Sequence, residues 1–148
     1  MSLTPQQTKF LAVAAEHTQY PNLPPLKCAV PEVQAVTDIA TKSGVSSSVD
    51  LGKTTQAEVM AMLQSSHIIH FACHGIQHKL KPYKSHFCLE TGDLTVTDLM
   101  EMDLKNAFLA YLSACETAKG DETHVDEVIH LAASMLFAGF KSIVATMW

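Results

Sequence analysis

Two short apolar runs each end on side chains capable of nucleophilic chemistry. The first, HIIHFACHG from His67 to Gly75, finishes on Cys73, His74 and Gly75; the second, AFLAYLSACET from Ala107 to Thr117, finishes on Ser113, Cys115 and Glu116. Cysteine attacks as its thiolate, and a neighbouring imidazole together with exposed backbone N–H groups favours that charged form. Histidine titrates near neutrality, so the same ring can protonate the amine that leaves when a peptide bond breaks. Glycine lets the backbone approach a carbonyl closely, and the N–H groups of Gly75 and Cys115 can then cradle an oxyanion. The pattern points to acyl transfer onto Cys115, with His74 as general acid and base.

Each residue alone has an ordinary structural explanation. A loop histidine usually hydrogen-bonds locally, and cysteine is most often a small buried filler. What favours chemistry is the equivalence of the two positions. Both follow an apolar strand, and in open parallel sheets sites gather beyond the carboxyl ends of the strands. If the two strands are neighbours, His74 and Cys115 face one another across one edge of the sheet. Cys73 points the opposite way by strand alternation and is read as packing. His67 and His70 belong to the strand entry and the sheet, while His78, His86, His124 and His130 are assigned to loops and a helix.

The elements that must position these residues read as alternating strands and helices. Lys9 to Ala15, KFLAVAA, is a buried strand, and the loop after it carries prolines at 21, 24 and 25. Pro31 is expected to open a helix, since its missing N–H has no partner in a first turn. Val33, Val36, Ile39 and Ala40 fall on one face of that helix and Gly44 can end it. Ser46 to Leu51 is a short strand. Thr55 with Glu58 makes the S/T-x-x-E pattern that starts the next helix, whose buried stripe is Val59, Met62 and Leu63. Residues 67–72 and 107–112 are the two strands described above. Between them, a hairpin around Gly92 and a short helix opened by Thr95 and Asp98 are expected. Thr123 and Asp126 start a long helix with Val125, Val128, Ile129, Ala132, Met135 and Leu136 inward and Gly139 at its end. Lys141 to Trp148 is a final strand. This alternation predicts an α/β fold of three layers, a mostly parallel central sheet covered by helices on both faces.

Composition excludes other classes. The 148 residues are 47% hydrophobic and 17% charged, the balance of a single compact domain. A net charge of -5 without any basic cluster argues against a nucleic-acid partner. The opening MSLTPQQTKF has no apolar core of a leader, and no stretch approaches the roughly 20 apolar residues of a membrane span. A cytoplasmic location with no membrane partner is expected. Cys28, Cys73, Cys88 and Cys115 contain no CxxC pair, so neither a disulfide scaffold nor a zinc ribbon is indicated. Cys73, His74, His78, Cys88 and Cys115 could converge on a metal. However, only His70 with His74 and His74 with His78 have ligand-like spacing, and these pairs straddle a strand end. No metal and no cofactor are expected.

The segments HFACHG, SHFCLETGDLTVTDL, AFLAYLSACETAKGDE and DEVIHLAASMLFAGFKSIVATMW together resemble the CHAT domain, a caspase-like cysteine peptidase module. The likeness is collinear from about Pro31 to Trp148 and rests on the pair HxxCHG and LSACxTAxGD. It implies a caspase-haemoglobinase fold in which His74 and Cys115 are the catalytic dyad after successive strands, with no third member required. Around the nucleophile, Ala114-Cys115-Glu116-Thr117 departs at both flanks from the caspase signature Q-A-C-[RQG]-G, and His74 lies closer to Cys115 than the roughly 50 positions found there. Aspartate specificity is therefore not implied. Related peptidases that prefer a basic P1 residue use a pocket carboxylate, a part open to Asp126 or Glu127. Acids in a first helical turn also complement the dipole and cap N–H groups, and that role is preferred.

Members of the family continue beyond the ATMW strand with segments that help build the substrate pocket. The expectation here is a sheet lacking its C-terminal part, with an edge open to another chain. Two functions of different class follow. One is an endopeptidase acting on a protein or peptide substrate; the other is an inactive module that binds a protein partner or forms a homodimer through its sheet edge.

Overall fold

The computed structural model describes residues 2–78, 80–113 and 125–146, excepting the side chains of residues 125–130. In chain order its elements are β1 (Lys9–Ala14), α1 (Ala29–Lys42), β2 (Ser46–Asp50), α2 (Gln56–Ser65), β3 (Ile68–Ala72), β4 (His74–Ile76), β5 (His86–Leu89), β6 (Gly92–Thr95), α3 (Val96–Glu101), β7 (Leu109–Ser113), α4 (Val125–Ala138) and β8 (Ser142–Ala145). Single 3-10 turns occupy Pro5–Gln7 and Pro82–Lys84.

The apolar run of β1 shows no polar alternation because both of its faces are covered. Phe10, Ala12 and Ala14 pack with Ala29 and Val33 of α1. Leu11 and Val13 point the other way, into a larger cluster that contains Val59 and Leu63 of α2 and Leu131 and Met135 of α4. Helices thus lie on both faces of the sheet, as the alternation predicts. The strand order is β2-β1-β3-β7-β8, and every neighbouring pair is parallel. The chain runs from β1 through α1 to β2, then returns to place β3 on the opposite side of β1. The carboxyl ends of β1 and β3 therefore form a topological switch point, where the loops diverge and leave a crevice. This is the three-layer α/β arrangement of the caspase-like fold.

A second sheet, β4-β5-β6, is antiparallel and follows directly from the exit of β3. The hairpin of β5 and β6 is the one expected around Gly92, which has φ +146°. Two sequence expectations are corrected here. β4 was not anticipated, and His86 lies in β5 rather than in a loop. The small sheet is fastened to the large one by Phe71 of β3 and Phe87 of β5, whose rings stack with centroids 5.1 Å apart.

Helix starts follow their capping chemistry. The Thr55 hydroxyl accepts from the Glu58 N–H at 3.3 Å, and the Glu58 carboxylate accepts from the Thr55 N–H at 2.8 Å. Thr95 and Asp98 repeat the arrangement at 2.9 and 3.0 Å. α1, in contrast, opens at Ala29 after Cys28, so Pro31 is its third residue rather than its first. The first four N–H groups of a helix are unpaired, and proline is tolerated at the third position for the same reason as at the first. Gly44, at φ +81°, follows the last turn as expected. In α4, Leu131, Met135 and Ala138 are buried while Leu136 is 50% exposed, a correction to its assignment as a core residue. Gly139 ends α4 at φ +121°, and a Cβ there would lie 2.8 Å from the Leu104 carbonyl oxygen. Thr123 and Trp148 lie outside the described residues, as do the side chains of Val125, Val128 and Ile129. No helix among the described residues is long and apolar enough to cross a membrane.

Candidate active site

β3 and β7 are neighbours in parallel register, with Ala72 opposite Ser113. Both strands therefore leave the sheet at the same edge, the condition that the sequence set for bringing His74 and Cys115 together. His74 is the second residue past β3. Cys115, with Ala114, Glu116 and Thr117, lies outside the described residues. Asp126 and Glu127 are the second and third residues of α4, and their side chains likewise lie outside the description.

His74 is completely buried, although a position at a strand exit was expected to be handed to solvent. The reason is the second sheet. After Cys73 the chain does not stop but continues as β4, where His74 pairs with Cys88 and Gly75 with Phe87. The loop after β1 then closes over the ring, and His74 Nε2 lies 2.8 Å from the backbone carbonyl oxygen of Pro24. A carbonyl can only accept, so Nε2 carries a proton and donates it. In the neutral ring the basic lone pair is consequently on Nδ1. The Pro24 carbonyl thus orients the imidazole.

That loop is itself restrained. Leu26 N–H donates to the Glu16 carbonyl at 2.8 Å, and Leu23 N–H to that of Tyr20 at 3.1 Å. From the small sheet, Glu90 Oε1 accepts from the N–H groups of Glu16 and His17 at 3.0 and 3.2 Å. The partner of the histidine was invisible to sequence reasoning because it is a main-chain atom. Its one trace was the density of prolines, which stiffens the segment.

His67, His70 and His78 take the structural parts assigned to them, whereas His86 lies in β5. His70 is buried in the sheet, with Nε2 2.7 Å from Glu32 Oε1 and its ring stacked 4.8 Å from that of Tyr111. His67 Nδ1, just before β3, accepts from the Lys9 N–H at 3.0 Å. Cys73 is buried in the core with Phe71 and Phe87, as alternation requires. A cavity of about 690 Å³ lies at the opposite end of the strands, among Thr8, His67, Lys105, Phe108 and Lys141. It is remote from the strand exits that carry His74.

Sequence reasoning also missed a polar cluster on the small sheet. His74, Cys88 and Asp93 are directly opposed across β4, β5 and β6 and so share one face, and His86 joins them two residues before Cys88. The Tyr20 hydroxyl donates to Asp93 Oδ2 at 2.5 Å and lies 3.0 Å from His86 Nε2. Burial, reinforced by the Asp93 carboxylate, pushes the Tyr20 phenol up to about 12, and the same two causes push the Cys88 thiol up to about 12. Both groups keep their protons in the fold at pH values where the unfolded chain, with ordinary values of 10.0 and 9.0, loses them. Their contribution to stability is therefore whole below about pH 9 and is lost as pH rises towards 12. Denaturant midpoints measured from pH 8 to 11 should fall for the native sequence and fall less steeply for Tyr20→Phe combined with Cys88→Ala. Equal slopes would contradict the assignment.

A comparison with curated proteins finds no match to this chain. The family model described as CHAT domain matches residues 2–148, so the likeness extends upstream of Pro31 and takes in β1 as well as the two motif-bearing strands. On that match, and with the five-stranded parallel sheet in place, the chain belongs to the CHAT domain family, which is related to the caspase-like peptidases.

Proposed function

We propose that this chain is a cysteine endopeptidase domain that hydrolyses peptide bonds through Cys115 and His74. The observation that carries the reading is the parallel register of β3 and β7, which ends both strands at one edge where the His74 ring is held by Pro24. Membership of a family related to caspase-like peptidases supports it.

In this reading the Cys115 thiolate attacks the scissile carbonyl and forms a C–S bond, while the N–H groups of Gly75 and Cys115 hold the oxyanion. The protonated His74 ring gives its Nδ1 proton to the departing amine as the C–N bond breaks. Water then attacks the thioester, the ring takes up the water's proton, and release of the acid regenerates the thiolate. The Nε2–H bond to Pro24 persists throughout and holds the ring in place. The substrate is a protein or peptide, and a reducing cytoplasm suits the thiols of Cys28 and Cys88. Asp126 or Glu127 would meet a basic P1 residue, beside their role at the helix start.

The full burial of His74 favours a second reading, a module that binds a protein partner or a second copy without turnover. One experiment separates the two. The chain and its Cys115→Ala variant are treated briefly with peptidyl acyloxymethyl ketones carrying Arg, Lys, Asp, Leu or Met at P1, and intact masses are recorded. A single adduct from one P1 class, absent in the variant, is the expected result. No adduct on protein shown to be folded by circular dichroism would overturn the peptidase reading in favour of the module.

A further inference from the structure

The cluster beside His74 has the composition and preparation of a metal site. His86 and Cys88 alternate onto one face of β5, and Asp93 stands directly across from Cys88 on β6. One ligand atom from each, an imidazole nitrogen, a thiol sulfur and a carboxylate oxygen, all lie within 4.8 Å of one another. Around zinc, ligand atoms in a tetrahedron are about 3.5 Å apart given Zn–N and Zn–S bonds of about 2.0 and 2.3 Å. Rotation of three side chains on a rigid hairpin covers that contraction.

His86 Nδ1 donates to the Lys84 carbonyl at 2.9 Å, and Nε2, 3.0 Å from the Tyr20 hydroxyl, is the ring nitrogen left to bind an ion once that contact is displaced. Asp93 Oδ2 accepts from the Tyr20 hydroxyl and from Gln19 Nε2 at 3.0 Å. Asp93 Oδ1 is buried and has no hydrogen-bond partner among the described residues. A buried carboxylate oxygen without a donor is unfavourable, and a cation resolves it. A bound dication favours the thiolate form of a ligating cysteine.

We propose that His86 Nε2, Cys88 Sγ and Asp93 Oδ1 bind one divalent transition-metal ion of the borderline-soft class, with Zn²⁺ the best match to the mixed N, S, O donor set. Three protein ligands leave a fourth position for water or an incoming group. Binding releases the thiol proton, displaces the Tyr20 hydroxyl from His86 and keeps its bond to Asp93, which then acts as an outer support for the carboxylate. The inference does not rest on peptidase activity. The pattern escapes the usual sequence templates because His86-x-Cys88 is a strand spacing, and the third ligand comes from across a hairpin.

The test is titration of the reduced, full chain with Co²⁺, which reports thiolate ligation and tetrahedral geometry through its absorption bands. One equivalent should bind, give a thiolate-to-cobalt charge-transfer band, and be displaced by one equivalent of Zn²⁺. The band should vanish in Cys88→Ser and persist in Cys28→Ser and Cys115→Ser. Asp93→Asn, which keeps the fold's hydrogen-bonding shape, should weaken binding, and Tyr20→Phe should weaken it by about 10- to 100-fold through loss of the outer support. Absence of the band in the native sequence would overturn the proposal. So would its survival in Cys88→Ser, or its loss in Cys115→Ser, which would place the ion at the candidate dyad.

Discussion

Replacing His74 by glutamine is expected to lower kcat/KM for a peptide substrate by about 10²- to 10⁴-fold, the usual contribution of a positioned acid–base group, while the protein stays folded. The glutamine amide can still offer an N–H towards the Pro24 carbonyl, so the loop after β1 keeps its anchor, but an amide cannot relay a proton. Alanine is the weaker test. It leaves a cavity at a fully buried position and an unpaired carbonyl, a combination that lowers stability whatever the role of the ring. Turnover and thermal unfolding are measured on the same preparation. A glutamine variant within threefold of the native rate would remove the imidazole from the mechanism.

The largest effect on stability is expected at Phe87. Its ring is fully buried and stacks on Phe71 at an interplanar angle of 17°, making the apolar contact between the two sheets. Truncation to alanine should destabilise by about 3–5 kcal/mol, the range for buried aromatic residues, part of it from the ring pairing. The consequence reaches the site, because the small sheet carries both His74 and Cys88. Guanidinium denaturation should show the lowered midpoint, and pulsed alkylation should show Cys88 becoming reactive at neutral pH in Phe87→Ala. A midpoint change corresponding to less than about 1 kcal/mol, well below the lower bound for such a substitution, would mean that the sheets are held together by other contacts.

Much of the scaffold was legible because its signals are local. The capping boxes of Thr55 with Glu58 and of Thr95 with Asp98 identify helix starts through side chains three residues apart, and β1 announces a doubly covered strand through an unbroken apolar run. A mostly parallel sheet followed from the alternation of elements, whereas the adjacency of β3 and β7 stood as a condition that the structure meets. What the sequence concealed depends on contacts made at a distance. β4 is three residues long and exists because β5 pairs with it, so no periodicity could reveal it. His74 is buried by a loop that starts at the other side of the switch point. The start of α1 shifted because proline marks a first turn without marking its first residue. Leu136 is apolar and helical, yet it sits one residue away from the stripe of Leu131, Met135 and Ala138 that faces the sheet. At the site, the dyad came from residue types, whereas the Pro24 carbonyl and the His86–Cys88–Asp93 cluster came only from the fold.

The arrangement around β1 also sets an order of assembly during synthesis. This strand is synthesised before the others of its sheet, yet its partners are β2, through Lys9 with Ser46, and β3, through Phe10 with Ile68. Neither can be reached by a hairpin, so long segments must close before any pairing compensates the lost chain entropy. Until then the nascent chain carries an apolar segment with both faces uncovered, the kind of exposure that leads to association between chains. The pairing of β1 with both of its neighbours accordingly waits until β3 has been synthesised.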